Sequence, residues 1–421
     1  MKENFRRVLF FAAALCLLTA LVVAGIGQAQ MEEPLTPIEQ LGSFLYFDEN
    51  LSEPDGQSCA SCHDPNVGFD DPDVGLPVSE GVIPGLFGGR NSPISAYAMY
   101  APIPYFDNVE GLWIGGQFWD GRATGDYLGD PLADQAIGPF LNSVEMANTS
   151  PSQVIDDIKA SEYSALFEKV WGEGSLEDVD AAYDQVGLSI AAFERTALFG
   201  QFSSKYDYYL ETCIGMGGVM HECAKGEGLV AADAGAQVLA KKEWQGLLLF
   251  MGENDNDGIL EEGEGAMCSA CHVADWTSIT DYSLPVQSPD WAPVGWVPPI
   301  FTDFTFDNLG IPKSEDKLLA DAPIDLGLGP IVFDSAENGK FKVMTVRNIG
   351  LSAPYGHNGF FKHLKDIVHF YNTRDVPEMG WAAPEYPDTI NFDELGNLGL
   401  NDKQEDLLVK FMMTLSDGYV P

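Results

Sequence analysis

Basic residues and histidine are scarce in this chain. It has 22 Lys or Arg against 64 Asp or Glu in 421 residues, so its formal net charge is −42. Such a surface excludes nucleic acid as a partner, because phosphate binding needs a basic face. It favours solubility, calcium and basic protein partners instead. Of the six histidines, none lies between His63 and His221. Apart from one N-terminal run, no stretch is long and apolar enough to span a bilayer. Alternating apolar and polar runs of strand length are few, so the expected chain is mainly α with long ordered loops. Cysteine is confined to seven positions, and their placement organises the rest.

Cys59-Ala60-Ser61-Cys62-His63 occurs a second time as Cys268-Ser269-Ala270-Cys271-His272. Cys-x-x-Cys-His is an attachment sequence for c-type haem. Its two thiols add across the vinyl groups, and the His takes one axial position on the iron. A structural zinc site wants a further Cys or His pair close by, and neither copy has one. A thioredoxin-like Cys-x-x-Cys needs no His and sits in a βαβ context. The pattern therefore predicts two covalently bound c-type haems on Cys59, Cys62, Cys268 and Cys271, with His63 and His272 as proximal ligands. One motif in each half of the chain predicts two cytochrome-c-like haem domains, over residues 30–210 and 241–421. A connector over 211–240 joins them.

Lys2, Arg6 and Arg7 precede an apolar run from Val8 to Val23, and Gly27-Gln28-Ala29 offers a cleavage point. Residues 1–29 read as an export signal, with an uncleaved membrane anchor as the competing reading. Export to the periplasm agrees with the chemistry, since c-type haems are attached outside the cytoplasm. Setting aside the four haem thiols and Cys16 in the signal leaves Cys213 and Cys223, which in an oxidising compartment are expected to form a disulfide. Met216, Met220 and His221 lie between them, so an extra metal site is the alternative there.

Helix signals punctuate the chain. Thr36-Pro37-Ile38-Glu39 and Ser150-Pro151 are helix starts, and Asn401 with Gln404 caps the last helix. Helical periodicity covers about Leu176 to Phe199, Trp244 to Met251, and Leu364 to Tyr371. Gly68 to Gly116 is rich in Gly, Pro and Asp and reads as ordered loop over the first haem. Val273 to Pro312, with Trp276, Trp291 and Trp296, is either a docking surface for a partner or packing over a haem.

Further motifs carry a resemblance. Arg90-Asn91-Ser92-Pro93, Gly116-Gln117-Phe118-Trp119-Asp120-Gly121-Arg122, Gln135 through Pro139 to Glu145-Met146, Val346-Arg347-Asn348 and Ala353-Pro354-Tyr355-Gly356-His357-Asn358-Gly359 stand in this order. Together they resemble the bacterial di-haem cytochrome c peroxidase and MauG superfamily over nearly all of the chain after the signal. The resemblance implies that hydrogen peroxide reacts at the haem of His63, with Glu145 as distal acid and Gln135 as its amide neighbour. Splitting an O–O bond needs a proton moved between its oxygens, a task suited to a carboxyl whose pKa burial has raised. Trp119 matches the aromatic that relays electrons between the haems, and Arg122 serves propionates or pairs with Asp120. In the peroxidase branch a His in the loop before Arg90 closes the first iron at rest. This chain has none, which implies a permanently open site as in the MauG branch.

The same alignment puts Tyr371 at the sixth-ligand position of the second haem, where cytochrome-oxidising relatives carry Met. A phenolate lowers the potential and favours oxidised iron. His363, His369 and Met344 are the alternative ligands. The resemblance also implies one calcium ion, held by Asn91 and the carbonyls of Ser352 and Pro354. Separately, Glu253, Asp255, Asp257, Gly258 and Glu264 have EF-hand spacing, with a solvated acidic loop as the alternative. The implied activity is reduction of peroxide by electrons that pass through the second haem and Trp119. The donor is a cytochrome c, a cupredoxin, or an oxidisable residue of a partner protein as in MauG. A di-haem electron-transfer protein without peroxide chemistry is the remaining reading.

Overall fold

The computed structural model describes residues 34–252 and 265–421. The export segment and the EF-hand-like residues Glu253, Asp255, Asp257 and Glu264 lie outside the described residues. In chain order the helices of six residues or more are α1 (Pro37–Phe47), α2 (Pro131–Ala136), α3 (Pro151–Ala160), α4 (Ser164–Trp171), α5 (Val179–Glu194), α6 (Lys205–Gly215), α7 (Met220–Lys225), α8 (Gly228–Val238), α9 (Lys241–Met251), α10 (Leu364–Thr373) and α11 (Asp402–Met412). Strands are short and pair antiparallel: β1 (Tyr105–Asp107) with β2 (Leu112–Ile114), β3 (Thr277–Ser278) with β4 (Trp296–Val297), and β5 (Phe306–Asp307) with β6 (Phe341–Lys342). Among the described residues no helix is long and apolar enough to cross a membrane.

The same device is used twice. α1 buries Leu41, Leu45 and Tyr46, precedes the first Cys-x-x-Cys-His turn at Cys59–Ser61, and crosses α5. Gly42 makes that crossing close, since a Cβ there would meet the Ser189 carbonyl oxygen at 2.0 Å. α9 likewise precedes the second motif turn at Cys268–Ala270 and crosses α11. There Gly246 is the contact, where a Cβ would stand 2.0 Å from the Leu407 oxygen. Each crossing nucleates its own apolar cluster. One is built from α1, α3 and α5 with Phe199 and Phe202; the other gathers α6 to α11 around Phe250, Phe301 and Phe411.

The stretch expected to be a connector is helical. Residues 211–240 hold the end of α6, all of α7 and all of α8, and the Cys213–Cys223 disulfide staples α6 to α7. Cys213, Cys223, Ala231 and Ala234 are buried in the second cluster, and the Trp244 ring lies against this stretch at Gly235, where a Cβ would meet it at 2.3 Å. The metal alternative inside this loop loses its ligands to other partners: His221 pairs with Asp275 at 2.5 Å, and Gln237 contacts the Met216 sulfur.

Other boundaries also moved. The helix expected over Leu176–Phe199 is interrupted, with a 3₁₀ turn at Ser175–Glu177 and α5 starting only at Val179. Asp178 caps it through the Ala181 N–H, a signal passed over in the periodicity. The reciprocal cap of Asn401 and Gln404 forms as expected. Trp276 and Trp291 face inward, packed edge to face with centroids 5.9 Å apart, and the Trp291 indole donates to the Phe202 oxygen.

Candidate active site

Each Cys-x-x-Cys-His motif opens onto its own cavity. Cys59, Cys62 and His63 line the first; Cys268, Cys271 and His272 line the second. Burial pushes the thiols up, to about 12 for Cys62, Cys268 and Cys271, which keeps them neutral. Capture of zinc needs thiolate, which this burial disfavours. Burial also pushes both histidines down, so each imidazole is a neutral donor. The Nδ1 of His272 faces the Phe301 carbonyl at 3.2 Å, an arrangement that leaves Nε2 for a metal. Space, thiols and imidazoles together fit a haem in each cavity.

The cavities share one wall. Asn91 to Ile94, Trp119, and Lys342 to Thr345 border both. Trp119 ties the two wall segments together: its indole N–H donates to the Asn91 oxygen at 2.8 Å, and its carbonyl accepts from the Lys342 N–H at 2.8 Å. The chain approaches this point through Phe118, whose φ of +65° is uncommon for an aromatic residue. Gly121 permits the exit, since a Cβ there would run into the Phe306 ring at 2.7 Å. Arg90 fixes the loop from behind, bridging Asp120 at 2.6 Å and Asp325 at 2.7 Å.

Glu145 and Gln135 both line the first cavity. Burial raises the Glu145 pKa, while the Arg122 charge and a hydrogen bond from Asn142 lower it in part. Its turn is pinned by the Val82 N–H on the Glu145 carbonyl at 2.9 Å. Arg122 pairs with Asp120, the second of the two roles considered for it. Of the six histidines, His63 alone lines the first cavity, and the loop through Ser79, Glu80 and Gly88 that covers it brings no imidazole.

Tyr371 lines the second cavity beside Cys268 and Cys271. Burial raises its phenol, and the two neighbouring thiols raise it further. Of the alternative ligands, His369 is turned to Glu405 at 2.8 Å, and His363 is an exposed cap residue of α10. Met344 lies in the shared wall. Asn91, Ser352 and Pro354 also line the second cavity, where the Asn91 amide donates to the Pro77 oxygen at 3.3 Å.

Two ionisable groups in the first cavity escaped the sequence reading. Lys342 is 5% exposed, donates to the Gly116 oxygen at 2.6 Å, and burial pushes it down to about 7. Glu194 is 4% exposed, has an oxygen without a hydrogen-bond partner, and burial pushes it up to about 8. Both had a signal: Lys342 interrupts the apolar run from Phe341 to Val346, and Glu194 follows Ile190 by one turn on the buried stripe of α5.

Comparison with known proteins agrees with this geometry. The family model for di-haem cytochrome c peroxidase matches residues 37–213. The methylamine utilization protein MauG of Paracoccus denitrificans (strain Pd 1222) is 31% identical over 420 residues, covering 94% of this chain and 93% of that protein. The cytochrome-c peroxidase IdrP2 of Denitromonas iodatirespirans is 25% identical over 427 residues, covering 95% and 85%. Among solved structures, the diheme peroxidase BthA of Burkholderia thailandensis E264 superposes with a TM-score of 0.70 at 26% identity, covering 92% of this chain and 88% of that one. By its cavities, its motifs and these relatives, the chain belongs to the di-haem cytochrome c peroxidase and MauG family.

Proposed function

We propose that this protein is a periplasmic peroxidase that reduces hydrogen peroxide in the first cavity, with electrons drawn through the second. Cys59 and Cys62, and Cys268 and Cys271, would hold one haem in each cavity through thioether bonds, with His63 to bind the first iron and His272 and Tyr371 the second. When bound, the first haem supplies the iron at which the O–O bond breaks. Glu145 takes the proton from the nearer peroxide oxygen and returns it to the farther one, and its raised pKa suits both halves of that task. Gln135 orients the peroxide. Trp119 carries electrons across the shared wall. Asn91, with the Ser352 and Pro354 carbonyls, holds a calcium ion at the rim of the second cavity.

The observation that carries this reading is the co-location of Glu145, Gln135 and His63 in a cavity whose wall contains Trp119. The donor is an oxidisable side chain of a partner protein. The lack of any second imidazole in the first cavity and the position of Tyr371 in the other favour this MauG-like reading over a cytochrome c or cupredoxin donor. Stopped-flow mixing of the fully oxidised protein with peroxide tests it. A spectral response without prior reduction is expected, and Glu145→Gln should slow it by about 10²–10⁴-fold. A requirement for pre-reduction would instead identify an ordinary cytochrome c peroxidase, and no response at all an electron carrier.

A further inference from the structure

We propose that Tyr97, with Asp417 as its proton acceptor, is a redox-active tyrosine of the first cavity. It gives up an electron when peroxide has reacted there and no external donor is engaged, so the inference rests on the peroxidase reading above. Tyr97 lines the first cavity and is 2% exposed. Its hydroxyl lies 2.9 and 3.0 Å from the two carboxylate oxygens of Asp417 and also accepts the Phe202 N–H at 3.0 Å. Asp417 reaches this point from the end of the chain, held by the Ser203 N–H at 3.0 Å and the Asn348 amide at 3.1 Å.

Packing alone does not call for this pair. The buried phenols of Tyr100, Tyr183, Tyr206 and Tyr209 each satisfy their hydroxyl on a main-chain carbonyl. Bringing a carboxylate inside adds a desolvation cost that a carbonyl avoids. What a carboxylate adds is basicity, because a main-chain carbonyl cannot keep a phenolic proton. Arg347 makes that basicity decisive. Its guanidinium stands 4.9 Å from the centre of the Tyr97 ring, where a positive charge opposes a phenol radical cation. Oxidation of Tyr97 must therefore release the proton together with the electron.

The step balances within the protein. One electron leaves the Tyr97 ring for the centre in the first cavity that peroxide has oxidised. The phenolic O–H bond breaks, and the proton binds a carboxylate oxygen of Asp417. A neutral phenoxyl radical and a neutral carboxyl remain. The hole stays there, because the Phe202 ring at 5.1 Å has no ionisable proton and the Tyr100 phenol at 6.3 Å has only a carbonyl as acceptor. Trp119, whose N–H also rests on a carbonyl, can pass an electron but has nowhere to leave its proton.

The test uses the haem-loaded protein, hydrogen peroxide, no donor, and freeze-quenched electron paramagnetic resonance. The wild type should give a tyrosyl signal that narrows when ring-deuterated tyrosine is incorporated. Tyr97→Phe should lower that signal at least tenfold, Tyr100→Phe should keep it, and Asp417→Asn should lower it at an unchanged rate of Soret response. An undiminished signal in Tyr97→Phe or in Asp417→Asn overturns the inference, as does a wild type whose Soret band responds while no radical forms. A wild type whose Soret band ignores peroxide overturns the peroxidase reading as well.

Discussion

The Arg122 guanidinium lies 3.6 Å from the centre of the Phe118 ring, and both side chains line the first cavity. A second pocket shares Phe118, Arg122, Asn142 and Glu145 with that cavity. Arg122 stabilises the carboxylate form of Glu145. Replacing it by Met removes that support, so the Glu145 pKa rises and the basic form appears only at higher pH. The pH profile of the second-order rate with peroxide should move alkaline in Arg122→Met and return part of the way in Arg122→Lys. An unmoved profile would mean that Arg122 serves only Asp120.

Tyr371→Phe should change the spectrum of one haem and leave the other as it was. Tyr371→Met should raise the midpoint potential of that same centre, because a thioether favours the reduced iron that a phenolate opposes. Spectroelectrochemical titration separates the two couples. If neither variant moves either couple, Met344 in the wall becomes the ligand to test.

Glu194 gives the fold a dependence on pH. Its carboxyl is raised to about 8 in the folded chain against 4.5 when exposed, so the native state keeps a proton that the unfolded state releases. The resulting stabilisation is full below about pH 4.5 and is lost as pH rises toward about 8. Glu194→Gln stays neutral throughout. Denaturant midpoints should decline with pH over this window in the wild type and decline less in the variant.

Arg347 is fully buried and meets Asp207 through two bonds of 2.9 Å, with the Phe202 ring 4.5 Å beneath its guanidinium. Asp207→Asn leaves that charge without its partner, and unfolding experiments should register a loss of about 3–5 kcal/mol. Replacing both, as Asp207→Leu with Arg347→Met, should recover much of it. A loss below about 1 kcal/mol in the single variant would show that Asp417 substitutes as counter-ion.

The parts legible in the sequence were those written in contiguous residues. Both Cys-x-x-Cys-His turns, the helix start at Pro151, the cap at Asn401 and the disulfide carry their information within about ten positions, although the Ser150 side chain makes no cap bond. Glu145, Gln135 and Trp119 line one cavity, and what singles them out in the sequence is a family order that no periodicity would supply. What stayed hidden depends on partners far along the chain. Tyr97 and Asp417 are 320 residues apart, and Arg347 and Asp207 are 140 apart; neither pairing has a local signature. The helices within 211–240 are hidden for a related reason. Gly226 and Gly235 look like linker composition, yet the Trp244 ring, from a later helix, lies against both.

Asn91 to Ile94 and Lys342 to Thr345 form a partition with no second layer behind it. Whatever alters one side is therefore felt on the other: a bulkier residue, a shifted charge or a slipped register cannot be confined to a single chamber. Remodelling the common pane would retune both compartments in one stroke.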